Sequence, residues 1–168
     1  MVAVVDCPPE RWPELFALRA RVWIDEGADP SAFPSGKWTD AHDALRRHWM
    51  VLDARGELIA CASLAIHASL DDVDEADAYR SVPFTRTGLI AAPARVVVES
   101  SHRGAGIAQA LLDTQDVAAS AAGAVLGVRQ ASPAMRRLLE RRGWQYHGAG
   151  PVDARFPGVD FSVMWRLL

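Results

Sequence analysis

The sequence is poor in the residues and patterns that mark several protein classes. Its 168 residues include two cysteines, Cys7 and Cys61. They match neither a metal-binding nor a redox spacing, so the plain expectation is two reduced thiols in a cytoplasmic protein. No apolar run approaches the ~18 residues that a membrane helix needs. The opening Met-Val-Ala-Val-Val-Asp lacks the charged n-region and long apolar h-region of a secretory signal. Basic residues are in slight deficit, with a formal net charge of -3. No broad basic face is expected, and so no nucleic-acid partner. There is no Gly-Lys-Ser/Thr of a P-loop and no triply spaced glycine turn of a dinucleotide fold. The acidic stretch Asp71, Asp72, Asp74, Glu75, Asp77 lacks the glycine and closing glutamate of a calcium loop. No metal site, internal repeat or low-complexity tail is expected.

Half of the residues are hydrophobic, and the length suits one domain over residues 1–168 with a sizeable core. The stretch from Ala94 to Leu112 organises the chain. Arg95-Val96-Val97-Val98 reads as a buried strand. Ser101-His102-Arg103-Gly104-Ala105-Gly106 breaks it. Ile107, Ala108, Leu111 and Leu112 then repeat as one apolar helix face. Strand, glycine-rich loop and helix follow one another without a gap. Gly104 and Gly106 permit backbone angles and close approaches that a Cβ forbids. The unpaired N–H groups of the first helical turn and the positive end of its dipole suit a phosphate. Arg103 adds a mobile cation at the rim.

Elsewhere, Val2–Val5 reads as an edge strand. Trp12, Leu15, Phe16, Val22 and Trp23 recur at helical spacing. Arg19 lies on that apolar stripe, where a cation either snorkels to water or takes a carboxylate partner; Asp40 and Asp43 are the candidates. Gly27–Lys37 is loop, and Asp40 caps a short helix, Ala41–Arg47. Trp49–Asp53 and Glu57–Ile66 form a hairpin. Ala68–Ala92 has no strong period and reads as a solvated short helix and loop, long enough for a lid. Ala124–Gln130 is a strand, Ser132–Arg142 a helix with Gly143 as its C-cap, and Trp144–Gly148 and Phe161–Leu167 are two closing strands. Because a helix crosses between them, the valine strand and Ala124–Gln130 should lie adjacent and parallel, splaying at the loop end.

The run Val98-x4-Arg103-Gly104-x-Gly106-Ile107-Ala108-x2-Leu111-Leu112 resembles the acyl-CoA signature of the GNAT N-acyltransferase superfamily, with Ser101 at the position usually held by Gln or Arg. The resemblance implies an α/β (α+β) fold with a mixed, mostly antiparallel sheet of six to seven strands. It implies that the pyrophosphate of coenzyme A rests on the amides of Arg103, Gly104, Ala105, Gly106, Ile107 and Ala108, flanked by Ser101 and His102, and that the pantetheine arm pairs with Val96, Val97 and Val98. Ser132 takes the place of an asparagine common in the superfamily, and Leu139 that of the usual tyrosine general acid. Leu18-Arg19-x-Arg21-Val22-Trp23, then Asp40-x2-Asp43-Ala44-Leu45, with Arg95, are similar to two branches: acyl-homoserine-lactone synthases and small bacterial acyltransferases. Three synthase acidic or basic positions are Trp38, Ser63 and Ala92 here, which argues against lactone synthesis.

Acyl transfer to an amine needs a polarised thioester carbonyl, an amine that can lose a proton, and alignment of the two. Glu99, at the strand end, is the base candidate, with a solvated strand-end acid as the alternative. His102 could meet phosphate, and His67 and Tyr146 could face the cleft. No Ser/His/Asp or Cys/His set suggests a covalent acyl-enzyme. The expected activity is transfer of an acyl group, acetyl first, from acetyl-CoA to a small-molecule amine, by a monomer or homodimer away from membranes. The alternatives are longer-chain acyl transfer and an acyl-CoA-binding module without transfer.

Overall fold

The computed structural model describes residues 2–84 and 87–168. Met1, Thr85 and Arg86 lie outside them, the last two within the stretch expected to be loop. Seven strands form one sheet: β1 (Val5–Asp6), β2 (Arg47–Leu52), β3 (Leu58–His67), β4 (Leu89–Val98), β5 (Ala124–Ala131), β6 (Gln145–Ala149) and β7 (Ser162–Leu167). Three α-helices, α1 (Trp12–Asp25), α2 (Ile107–Ala121) and α3 (Pro133–Glu140), cover its faces. The strand order is β1-β2-β3-β4-β5-β7-β6. Among the described residues only β4 and β5 run parallel, and α2 makes the crossover between them.

Local chemistry sets the ends of these elements. Ser132 caps α3 by accepting the Met135 N–H at 3.4 Å, with a proline in the first turn. Gly143, at φ +82°, ends it as expected. Asp40 and Asp43 form a capping box around a 3-10 turn over Ala41–Leu45, shorter than the helix expected there. The stretch after β3 differs more. Its last residues, Leu89–Ala92, belong to β4. The rest forms two 3-10 turns, Leu70–Asp72 and Ala76–Tyr79. Val73, Tyr79 and Val82 are buried against Ile90, Leu126 and Val163. The acidic composition hid these three apolar residues, and the segment roofs the sheet instead of standing off in solvent.

The strand β4 carries the decisive irregularity. Against β3, Val97 faces Cys61 and Ala94 faces Ser63, so three steps on β4 oppose two on β3. That is a β-bulge, and Arg95 within it has φ +58°. The extra residue inverts the pattern of the strand. Ala91 packs with the α2-side core, and Ile90 and Ala92 with the opposite one. Beyond the bulge, Val98 and Val96 are on the α2 side and Val97 faces α1. Gln115 of α2, almost wholly buried, holds the bulge. Its Nε2 donates to Ser63 O at 2.7 Å and Ala94 O at 3.1 Å.

Arg19 is fully buried on α1. Its guanidinium donates to Asp43 Oδ1 at 2.8 Å and to His48 Nδ1 at 3.2 Å, while His48 Nε2 donates to Asp43 O. Burial pushes the Asp43 carboxyl up, but Arg19 and its other partners outweigh that and hold it at about 2.

Two outcomes follow. Arg19→Met keeps the bulk but strips partners from Asp43 and His48, and should cost about 3–5 kcal/mol in chemical denaturation. Because the Asp43 pKa is depressed on folding, its contribution is present above about pH 4 and lost as the pH falls toward 2. The variant should lose that segment of acid sensitivity. Gln115→Leu leaves buried carbonyls without their amide donor and should lower stability by about 1–3 kcal/mol in the same measurement.

Candidate functional site

Pairing between β4 and β5 covers Leu89–Ala91 against Ala124–Gly127 and then stops. Beyond it, β4 stays with β3 through the bulge, and β5 stays with β7 as far as Ala131. The two parallel strands therefore part toward the glycine loop. Between them opens a cleft of about 500 Å³, with Val96 and Val97 on one wall and Val128–Ser132 with Met135 on the other. The expected splay is present. An unpaired strand edge in a cleft can take a further extended chain.

The loop follows directly. Gly104 and Gly106 have φ of +83° and +78°, and a Cβ on either would meet nothing within 4 Å. Both thus require glycine for backbone angle and open onto free space. Gly106 is the N-cap of α2 and offers no side-chain cap, so the first-turn amides have no partner from that residue. Arg103 is not the mobile cation that the sequence suggests. Its Nε donates to Val98 O at 3.2 Å, and its guanidinium pairs with Glu26 of α1. Ser101 and His102 bond to each other on the exposed rim.

The remaining expected site residues divide in two. Ser132 lines the cleft as well as capping α3. Val98 packs into the core and does not line the cleft. Glu99 is not on the cleft wall; it pairs with Arg21 and stands 3.6 Å from His102. His67 lines the cleft, and burial lowers its pKa. Tyr146 does not; Arg136 stacks over its ring at 3.8 Å. Leu139 is core, so α3 presents no phenol there.

Arg19, Asp40, Asp43 and Arg95 come together as one network under the cleft. Arg95 donates to Asp40 at 2.6 Å and lies 3.9 Å from the centre of the Trp38 ring. Arg46, which the sequence reading passed over, joins Asp40 at 3.0 Å, Asp43 at 3.2 Å and Asp74 at 3.4 Å. Burial, reinforced by Arg19 and Arg46, lowers Arg95 to about 10 despite Asp40. Burial raises the Asp40 pKa, yet Arg46 and Arg95 bring it below the usual carboxylate value. The far wall is aromatic: Trp23, Trp38, Phe156 and Phe161. Trp38 and Phe156, their ring centres 5.0 Å apart, come from distant parts of the chain, and no local pattern joins them. On β5, Arg129 is buried against Gln115 Oε1 at 3.3 Å, and burial lowers it to about 10. Among the described residues no group of acidic, histidine or cysteine side chains could hold a metal ion.

The structure resembles solved acetyltransferases across its whole length. A GNAT-family acetyltransferase from Staphylococcus aureus aligns with a TM-score of 0.68 at 12% identity, covering 100% of this chain and 99% of that one. The histone acetyltransferase HPA2 and related acetyltransferase from Corynebacterium glutamicum gives 0.68 at 17% identity, with 98% and 94% covered. Arabidopsis thaliana NAA60, solved in complex with acetyl-CoA, gives 0.67 at 14% identity, with 100% and 99% covered. At such identities the likeness concerns the fold. No curated protein matches the chain. Residues 11–144, however, match the model of the acetyltransferase (GNAT) family. That span takes in α1, the bulged strand, the glycine loop and the two parallel strands that part to form the cleft, and the chain belongs to this family.

Proposed function

We propose that the chain transfers an acetyl group from acetyl-CoA to a small-molecule amine, directly and without an acyl-enzyme. One observation carries this reading: β4 leaves β5 beyond Ala91 and opens a cleft that ends at the glycine loop and the first turn of α2. The open edge of β4 suits the amide-bearing pantetheine arm, and the loop amides suit the pyrophosphate. The fit is supported by the free space over Gly104 and Gly106. The thioester then lies in the cleft between the strands. There, backbone N–H groups can stabilise the oxyanion, and an amine arriving from the aromatic side is held in line with it.

No phenol stands at Leu139 to protonate the departing thiolate. A tetrahedral adduct formed from a neutral amine carries its own acidic N–H, and that proton can pass to the thiolate as the C–S bond breaks. The two thiols of the chain do not compete as nucleophiles. Burial pushes Cys7 up to about 11 and raises Cys61 as well, so both stay protonated at neutral pH.

Calorimetric titration with acetyl-CoA, alongside a thermal melt of each variant, tests the donor site. Gly104→Val and Gly106→Val meet no neighbour but strain a left-handed backbone; they should still fold, with a melt lowered by several degrees, and lose acetyl-CoA affinity by about a hundred-fold, as branched side chains enter the phosphate space. Arg103→Ala should weaken binding by no more than about ten-fold, because that guanidinium is already engaged by Glu26 and Val98. Glycine variants that melt normally and bind as tightly as the parent would contradict the assignment.

A further inference from the structure

Among the described residues three arginines are buried: Arg19, Arg46 and Arg129. Arg19 has Asp43 at 2.8 Å, and Arg46 has Asp40 at 3.0 Å and Asp43 at 3.2 Å. Arg129, only 5% exposed, differs. No carboxylate among the described residues lies within salt-bridge distance of it. Its acceptor is the neutral amide oxygen of Gln115 at 3.3 Å, and its Nε has no partner. The groups around it do not make up the deficit. Asp116 on α2 is already shared by Arg142 at 2.9 Å and Arg166 at 2.7 Å, and those two cations repel Arg129. Burial keeps the Tyr79 phenol protonated, so it brings no charge. The Trp144 ring centre, 5.8 Å from the guanidinium, is at the limit of a cation–π contact.

An arginine lowered to about 10 is still charged at neutral pH, and a buried charge without a counter-ion is costly. Its place in the fold is the second, independent observation. The last pair between β4 and β5 is Ala91 with Gly127. Arg129 stands two residues beyond Gly127, at the closed end of the splay, and lines the cleft. Side chains alternate along β5: Gln130 turns to Glu75, and Arg129 turns the other way, to Gln115 of α2. Val96 and Met135, with Ala131, are the apolar part of the cleft on that same α2 side.

The direction of the donor follows from the acyl-CoA reading above, on which this inference rests. With the pyrophosphate at the glycine loop and the pantetheine arm along Val98 to Val96, the acyl group points away from the loop. It points toward the end where β4 and β5 rejoin, and there Arg129 stands. An acetyl methyl has no polar atom to offer the guanidinium. A carboxylate at the far end of a longer acyl chain offers two acceptor oxygens in the geometry that a guanidinium fork matches. A carboxylate carried by the acceptor instead would meet Asp40 and Glu75 on the opposite face of the sheet, where like charge opposes it.

We infer that Arg129 is a subsite for the distal carboxylate of the acyl donor, and that the chain takes coenzyme A monothioesters of short dicarboxylic acids, succinyl-CoA above all, beside acetyl-CoA. The transfer itself is the same. The neutral acceptor amine attacks the thioester carbon and forms the C–N bond. The C–S bond breaks, and an N–H proton passes to the departing thiolate. A carboxyacyl amide and free coenzyme A result. The distal carboxylate keeps its charge throughout and Arg129 keeps its proton, so Arg129 binds and orients the acyl chain and takes no part in bond making.

Calorimetric titration of the purified chain with acetyl-CoA, butyryl-CoA and freshly prepared succinyl-CoA tests this with no acceptor present. Succinyl-CoA should bind at least ten-fold more tightly than butyryl-CoA, its apolar match in chain length. In Arg129→Gln that ratio should fall to about one, and in Arg129→Lys to an intermediate value. Each ratio is taken within one variant, so a loss of folded protein cancels. Phenylalanine and phenethylamine titrated into the acetyl-CoA complex separate the other source of a carboxylate. Tighter binding of phenylalanine that Arg129→Gln abolishes would assign the subsite to the acceptor and overturn the inference. Butyryl-CoA bound by the parent as tightly as succinyl-CoA, or a preference that persists in Arg129→Gln, overturns it while leaving the acetyl-CoA reading intact. Failure of the parent to bind any of the three thioesters overturns both.

Discussion

The site depends on a strand that cannot satisfy both of its neighbours. β4 begins in register with β3 and β5 together, loses β5 after Ala91, and continues only with β3 through the bulge around Arg95. An extra residue bends and twists a strand locally, and here it lies just beyond the loss of the β5 partner. The consequences are coupled. The cleft opens, one strand edge is left unpaired, and Arg95 is turned onto Trp38 and toward Asp40. The carbonyl of Ala94 that the bulge displaces is recovered by Gln115 and the Ser63 hydroxyl. A buried carbonyl left without a donor costs as much as several ordinary contacts contribute. The helix that carries the glycine loop at its start therefore also holds the bulge in place from its middle, which fixes the loop relative to the cleft.

Beneath the opening, Arg19, Asp43, Arg46, Asp40 and Arg95 alternate in sign. Buried ion pairs are weak sources of stability compared with well-packed apolar residues. What this network supplies is position. It ties α1, the 3-10 turn after Asp40, β2 through His48, and the bulge of β4 into one floor. It also removes its own charges from the electrostatics of the cleft.

Most of the frame was legible in the sequence because it is written in local patterns. The glycine spacing, the apolar face of α2 and the β-branched start of the valine strand each depend on residues a few positions apart. Arg19 was legible for a different reason: a cation on an apolar stripe demands a partner, and Asp43 meets that demand. What was hidden is long-range. Leu89–Ala92 belongs to β4 although its composition is plain, because pairing with β3 decides it. Val73 and Tyr79 were masked by surrounding acids. Nothing local shows that Trp38 and Phe156 share a wall, or that Gln115 reaches Ala94. Glu99 was drawn to the site by its closeness in the chain, but the strand end turns it to Arg21 and away from the cleft.

In the proposed function, acetyl-CoA occupies the gap between β4 and β5 with its phosphates on the first turn of α2. Amide hydrogen exchange, measured with and without saturating acetyl-CoA, tests this most directly. The account predicts new protection at Val96–Val98 and at Gly104–Gln109, with β2 and β6 unchanged. Bound acetyl-CoA that leaves both segments exchanging at their free rates, or protects a different surface, would contradict it.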